Sequence, residues 1–475
     1  MSQHPARIDG QAVTTDTSME IRAPYDGEMI GEVPRCDPAH VDTAVAAARR
    51  AMVEEPLPAW RRAEILDRAA EALAEPELAE DLARTIAVEA AKPINTARVE
   101  VDRAVSTFRF ASATARTLAG EIIPLDAAQA GEGRIGFTLR VPVGVIGAIT
   151  PFNFPLNLVA HKLAPAIAAG CPVVLKPAHQ TPFSGLKLAE LLLDRCGLPA
   201  SWLHVVTGAG SEVGQALVDH PDVAMITFTG SPEVGWGIRA AAPRKRVSLE
   251  LGNNAPVIVQ PDGDWQTAAT RIAAAGYSHA GQSCISVQRV LVHDEVAEEF
   301  AAALTAAVGA LVVGDPLDED TQVSALITRD ETARVLGWIE EAVSQGATVA
   351  VGGELDDAGV LRPTVLTDVT NDMKVCRDEV FGPVVGVATY ADLDEAFAIA
   401  NDTRYGLHAG IFTADLATAK RAIEELDFGG VIVNDVPTWR ADQMPYGGVR
   451  DSGNTREGPP HAVLEMTEVR SAVIS

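Results

Sequence analysis

Cys284, Glu250 and Asn153 are of the types that serve as nucleophile, general base and amide hydrogen-bond donor. Cys284 stands in HAGQSCISVQ, residues 279–288. A free cysteine also serves as a small packed hydrophobe, and residue type leaves both roles open. Glu250 lies in VSLELGNNAP, inside an otherwise apolar run. Glutamate is almost never buried without a partner. Its carboxylate therefore either faces a pocket, with a raised pKa suited to accepting a proton, or reaches solvent from a strand end. Asn153 opens FNFPLNLVAHK, with Asn157 and His161 at i+4 and i+8. On a helix the three share one face, which lines a pocket or meets solvent. Asn153 at its start can donate an amide hydrogen to a developing oxyanion.

The elements that must hold these residues alternate regularly. Residues 41–118 read as helix, rich in Ala, Leu, Glu and Arg with apolar positions at helical spacing. From 143 onward short apolar runs separate Ala/Leu-rich stretches: VGVIGAIT ending at Thr150, PVVLK at Lys176, LHVVTG at Gly208, AMITFTG at Gly230 and RVSLELG at Gly252. Continuous apolar strands between helices predict a parallel sheet covered on both faces, in a doubly wound, Rossmann-like nucleotide-binding layout. A second α/β series follows, with strands APVIVQ, QRVLVH, ATVAVGG, VVGVATY, AGIFT and GGVIVND. The alternating RIGFTLRV and the C-terminal EMTEVRSAVIS fit neither sheet and read as strands of an arm. The expected division is α/β throughout: residues 1–123 with 143–252, then 253–454, with 124–142 and 455–475 as the arm.

In open parallel sheets, ligands bind beyond the carboxyl ends of the strands. TFTGSPEVG places Ser231 as an N-cap and Pro232 at the first helical position. Such a helix end suits a phosphate, and equally a plain surface helix. Gly230 and Gly235 are spaced GxxxxG, which is not the usual dinucleotide fingerprint. Lys176 closes its strand as Lys-Pro, to meet either a ribose or phosphate or solvent.

The chain is 47% hydrophobic with 38 Lys and Arg against 65 Asp and Glu, a net charge of −27. That balance argues against nucleic acid and anionic membranes as partners. The longest apolar run, Leu163 to Leu175, contains Pro and Gly and falls short of the ~20 residues a bilayer requires. MSQHPARIDGQ lacks the apolar core of a signal peptide. The cysteines at 36, 171, 196, 284 and 376 are scattered, with no CxxC pair. No metal site or disulfide framework is expected, and a reducing cytoplasm is the default.

TPFNFPLN, VVLKPAHQTP, FTGSPEVG, LELGNNAP, GQSCISVQR, DEVFGPVV, YGLHAGIF and MPYGGVRDSG occur in this order. Together they resemble the aldehyde dehydrogenase superfamily over essentially the whole chain, nearest its lactaldehyde and semialdehyde branches. The resemblance implies that Cys284 attacks an aldehyde carbon and that Asn153 and the Cys284 amide hold the oxyanion. The thiohemiacetal gives a hydride to NAD or NADP, and Glu250 activates the water that hydrolyses the thioester. It also implies a cofactor cleft through Thr150, Pro151 and Phe152, with Lys176 on the adenine ribose. Gly208 and Leu251 border that cleft. Gly230, Ser231, Val234 and Gly235 lie near the pyrophosphate, and Glu379 and Phe381 hold the nicotinamide ribose and ring. An inter-subunit strand arm implies a homodimer or homotetramer.

Three positions depart from the family pattern. Asn253 and Thr455 stand where glycine is common. His179 stands where a glutamate often marks NAD preference; without that carboxylate NADP is not repelled, and NAD remains the expected cofactor. By the same resemblance Arg103, Asn157 and His161 line the aldehyde channel, with Arg440 near its entrance. These polar residues imply a small aldehyde bearing hydroxyl, carboxylate or phosphate groups, unless Arg103 and Arg440 are consumed in structural salt bridges. Ser283, an Arg in some phosphate-handling relatives, favours an uncharged or carboxylate-bearing substrate. Two rival readings are a CoA-acylating semialdehyde dehydrogenase, a type that generally lacks the glutamate base, and a cofactor-free cysteine hydrolase using His279.

Overall fold

The computed structural model describes residues 3–475. The five apolar runs after residue 143 form the parallel strands Val145–Ile149, Val173–Lys176, Leu203–Val205, Val223–Thr229 and Arg246–Glu250. Their spatial order runs from Arg246–Glu250 at one edge through Val223–Thr229, Val145–Ile149 and Val173–Lys176 to Leu203–Val205. The N-terminal hairpin Ala6–Ile8 and Gln11–Val13 extends the far edge antiparallel. Helices cover both faces, as the unbroken burial of these strands requires.

The segment read as helix comprises Pro38–Glu54, Ala59–Leu73, Pro76–Ala90 and Ile94–Thr117. Two buried carboxylates from this segment hold backbone near the strand ends. Glu100, paired with buried Lys92, accepts from the amides of Leu156 (2.9 Å) and Asn157 (3.0 Å). Glu89 accepts from Phe183 (2.8 Å) and Ser184 (2.9 Å). Each satisfies amides that a helix start leaves without an intrahelical acceptor.

The second sheet runs Thr348–Val351, Thr364–Thr367, Val384–Tyr390, Val287–His293, Ala255–Val259, His408–Phe412 and Gly430–Val433. All neighbours are parallel except the edge strand Thr348–Val351. Thr364–Thr367 is an addition to the expected series. Its four residues, TVLT, are too short and too polar at the ends to stand out as an apolar run.

A third sheet pairs Ile135–Pro142 with Thr467–Ile474 along their whole length, antiparallel, and adds Ile122–Ile123. The expected arm is thus only partly matched. Residues 455–466 lie outside this sheet: helix Pro459–Glu465 packs on Asn157–Ala169 and Ile94–Thr117. Residues before it run beside the strand ending at Glu250, with an antiparallel bridge between Glu250 and Gly453. Among the described residues no helix is long and apolar enough to cross a membrane.

Candidate active site

A cavity of about 590 Å³ opens beyond the carboxyl ends of the first parallel sheet and brings Asn153, Glu250 and Cys284 together. Each comes from a different local device. Cys284 follows a sharp turn in which His279 and Ala280 adopt φ of 50° and 54°. At Gly281 (φ 72°) a Cβ would collide with the Gly382 carbonyl. The turn ends on strand Val287–His293 and leaves Cys284 half-buried, its Sγ 2.8 Å from the Tyr446 hydroxyl. Burial pushes the Cys284 thiol up to about 12, with the Tyr446 hydrogen bond pulling the other way.

Asn153 sits in the turn before helix Asn157–Ala169. The expected shared face of Asn153, Asn157 and His161 does not form, because Pro155 disfavours helical backbone at Phe154 and the helix starts only at Asn157. Asn153 Nδ2 donates to the Gln282 carbonyl (2.8 Å), which ties it to the Cys284 turn. That bond uses one of its two amide hydrogens and leaves the other free to donate.

Glu250 ends the edge strand Arg246–Glu250, and both its carboxylate oxygens are buried with no protein partner. Burial and the nearby Glu457 carboxylate raise its pKa well above the ordinary range, while Arg440 and Lys162 oppose the shift. Gly447 permits this packing: a Cβ there would lie 2.8 Å from Glu250 Oε1. An unpartnered, buried carboxyl of this kind can take a proton from water.

Lys162, Asp442, Tyr446 and Glu457, none of them among the expected site residues, join Arg103, His161 and Arg440 in lining or backing the cavity. Arg440 Nη2 donates to Glu457 (3.0 Å), and its guanidinium lies 3.8 Å above the Tyr446 ring. Lys162 lies 3.9 Å from Glu457 and donates to Thr227 (3.0 Å) and Thr229 (2.8 Å). Arg103 donates to Asp442 (2.9 Å), which also contacts His161 Nε2 at 3.2 Å. Of the four unexpected residues, Lys162 alone carries a local signal, as a lone cation in an apolar helix. Asp442 and Glu457 lie in loops where nothing local marks them, and Tyr446 lies in the MPYGGVRDSG motif without a role expected of it.

Arg103, Asn157, Ser283 and Arg440 line the cavity. His161 does not: it is fully buried behind the wall, where it bridges Asp442, Arg440 (3.3 Å) and Thr107 (3.3 Å). Arg440 is not at an entrance either. Its side chain is 5% exposed and pinned by Glu457, whereas the neighbouring Trp439 points outward. His279, the base required by the hydrolase reading, is buried away from the cavity with both ring nitrogens unpartnered.

Along the strand ends Thr150, Pro151, Phe152, Lys176, His179, Gly230, Ser231, Val234 and Leu251 border the same space, and Glu379 and Phe381 face them from the second α/β unit. Gly208 and Gly235 do not. Gly208 makes a turn at φ 154° against Val213, and Gly235 lets its helix approach Leu251. The donors fit a nicotinamide dinucleotide. Lys176 is buried with only the Pro177 carbonyl as acceptor (3.2 Å), and burial lowers its pKa to about 8. The Thr150 hydroxyl is buried and unpartnered, and helix Pro232–Ala241 offers its Ser231-capped N-terminus. Glu379 Oε1 accepts from the Asn253 amide (2.9 Å), and burial raises that carboxyl to about 8. The Asn253 side chain, at a position where glycine is common in the family pattern, bonds the backbone of Leu407 (3.3 Å) and His408 (3.2 Å).

Comparison with known proteins shows the family. The aldehyde dehydrogenase family matches residues 12–472. The chain is 46% identical over 475 residues to the 3-sulfolactaldehyde dehydrogenase of Priestia megaterium, covering 100% of this chain and 98% of the relative. It is 39% identical over 472 residues to the lactaldehyde dehydrogenase of Methanocaldococcus jannaschii, covering 98% and 99%. Among solved structures, glyceraldehyde-3-phosphate dehydrogenase GapN of Methanocaldococcus jannaschii, complexed with NADP, superposes with a TM-score of 0.92 at 38% identity, covering 97% of this chain and 100% of that one. Both the fold and the full-length match lead to one assignment: the chain belongs to the aldehyde dehydrogenase family, oxidoreductases that use NAD or NADP.

Proposed function

We propose that this enzyme oxidises a short 2-hydroxyaldehyde bearing one anionic group to the corresponding acid, with Cys284 as nucleophile, Asn153 as oxyanion donor and Glu250 as base. The observation that carries the reading is the gathering of all three around one cavity that Arg103 also lines, while Arg440 is spent in the structural ion pair with Glu457. Arg103 holds Asp442 through Nε and Nη2, which leaves its Nη1 edge for an anion. Ser283 adds no further cation, which suits a monoanion better than a phosphate dianion. Two relatives are named for 3-sulfolactaldehyde and lactaldehyde, both 2-hydroxyaldehydes, and the first carries a sulfonate.

In this reading the Cys284 thiolate adds to the carbonyl carbon. The S–C bond forms as the π pair moves onto oxygen, where the Asn153 amide receives the charge. NAD or NADP, which Lys176, the Ser231 helix end and Glu379 would hold, would accept the hydride lost from that carbon as the oxyanion pair re-forms C=O, leaving a thioester on Cys284. Glu250 then takes a proton from the water that attacks the thioester, and the Cys284 thiolate leaves.

The test is a panel of short aldehydes with NAD or NADP, with and without CoA, following reduced nicotinamide. Turnover of anionic 2-hydroxyaldehydes without CoA is expected. Equal turnover of a long alkanal would sink the substrate class, and a strict CoA requirement would sink the hydrolytic step. Arg103→Ala is expected to raise KM for the anionic aldehyde roughly 10- to 100-fold, the worth of one charge-assisted hydrogen bond, and to leave an uncharged short aldehyde unchanged.

Cofactor affinity should follow Lys176. The ammonium exists below its pKa of about 8 and is lost above it. Cofactor Kd, read by fluorescence quenching, is expected to weaken as pH rises through that value. Lys176→Met should bind roughly tenfold more weakly, with a flat pH profile; a retained pH dependence would remove Lys176 from the cofactor site.

The exposed apolar residues Ile135, Leu139, Val469 and Val473 of the third sheet favour a homodimer or homotetramer that covers them. Free thiols throughout suit the cytoplasm.

A further inference from the structure

The Tyr446 hydroxyl has one polar neighbour in the protein, the sulfur of Cys284 at 2.8 Å. Its ring is fully buried against the Arg440 guanidinium (3.8 Å to the centroid) and the His408 imidazole (5.0 Å between centroids, 67° between planes). Arg440 is in turn fixed by Glu457 and His161. Gly430 leaves no room behind His408, since a Cβ there would lie 2.7 Å from its ring. The ring is therefore held by contacts with Arg440 and His408, and its hydroxyl meets the reacting sulfur. We propose that Tyr446 is a further catalytic residue: its hydroxyl donates a hydrogen bond to the Cys284 thiolate and stabilises the attacking form. This rests on Cys284 being the nucleophile and is independent of which aldehyde it meets.

The surroundings explain why such a donor is needed. Of the charged groups near Cys284, Glu250 and Glu379 oppose its ionisation and Arg440 favours it, while burial disfavours the thiolate more than any of them. Tyr446 is the neighbour that counters burial by direct contact. Burial also drives the phenol well above its usual range, so its proton stays on oxygen and is available to donate. When the S–C bond forms, sulfur gives up its negative charge and the hydrogen bond weakens, with no proton transferred from Tyr446.

Tyr446→Phe keeps the ring against Arg440 and His408 and removes only the hydroxyl. Alkylation of Cys284 by iodoacetamide needs neither aldehyde nor cofactor, so it reads thiolate content whatever the substrate panel shows. The rate is obtained by subtracting that of Cys284→Ser and is followed from neutral to alkaline pH. The expected result is alkylation roughly 10- to 100-fold slower at neutral pH, with the pH profile displaced upward, the worth of one hydrogen bond to a charged group. A profile within twofold of the parent overturns the proposal, as does a parent in which Cys284 is not alkylated. A second measurement replaces tyrosine by 3-fluorotyrosine, which preserves the packing and strengthens the phenol as a donor. Faster alkylation supports the assignment; unchanged or slower alkylation overturns it.

Discussion

Cys284→Ser is expected to abolish aldehyde oxidation, lowering kcat/KM by roughly 10⁴-fold or more, the scale seen when a covalent nucleophile is removed. Serine keeps the size and the Tyr446 contact, so the folded state and cofactor affinity should survive. A serine hydroxyl ionises far less readily than a thiol, and the buried setting that already raises Cys284 to about 12 would suppress it further. The other cysteines make the contrast. Cys36, Cys171, Cys196 and Cys376 are all buried outside the cavity. Their replacement by serine should cost stability in a thermal melt while the remaining folded enzyme keeps its turnover. Residual activity of Cys284→Ser within tenfold of the parent would exclude covalent catalysis through this residue.

Glu250→Gln separates the two halves of the reaction. Thiolate attack and hydride loss do not need the carboxylate, so each site should release one equivalent of reduced nicotinamide. Steady turnover should then fall about 10²- to 10⁴-fold, the usual worth of a general base. Intact mass would show the acyl group retained on Cys284, and hydroxylamine, which attacks without a base, should discharge it. The pH dependence follows from the raised pKa of Glu250. The carboxyl is protonated and inactive as a base below that pKa, so hydrolysis should accelerate as pH rises through it. Glu250→Gln should lose this limb. Absence of a burst in the variant would move Glu250 out of the hydrolytic step.

Much of the scaffold was legible because its strands are continuous apolar runs between helices, a pattern set by burial on both faces. The exception, Thr364–Thr367, is buried by its neighbours in the sheet rather than marked by its own residues. Within the site, Glu250 could be singled out because it interrupts an apolar run, whereas Cys284 and Asn153 took their roles from the resemblance of the motifs around them. The network behind them could not. Arg103 and Asp442 are 339 positions apart, and His161 and Asp442 are 281 apart. No local periodicity records a pairing over such distances. Arg440 shows the same limit at short range: next to an outward-facing Trp439 it turns inward, onto the buried Glu457, His161 and the Tyr446 ring.

The strand that carries Glu250 is the outermost strand of its sheet, and exposed edges invite pairing with other chains. Here the protein's own tail occupies that edge. Asn454 Oδ1 accepts from the Leu249 amide (2.9 Å), the Ser452 carbonyl accepts from Leu251 (3.0 Å), and Glu465 receives the Ser248 hydroxyl (2.6 Å). Two residues after Glu465 the chain enters the strand Thr467–Ile474. One short length of polypeptide thus seals an adhesive edge, delivers Glu457 to the reaction chamber and anchors the third sheet. The closed edge, the Glu457 carboxylate and the third sheet therefore share one anchor, so a substitution that displaces residues 452–466 would disturb all three together.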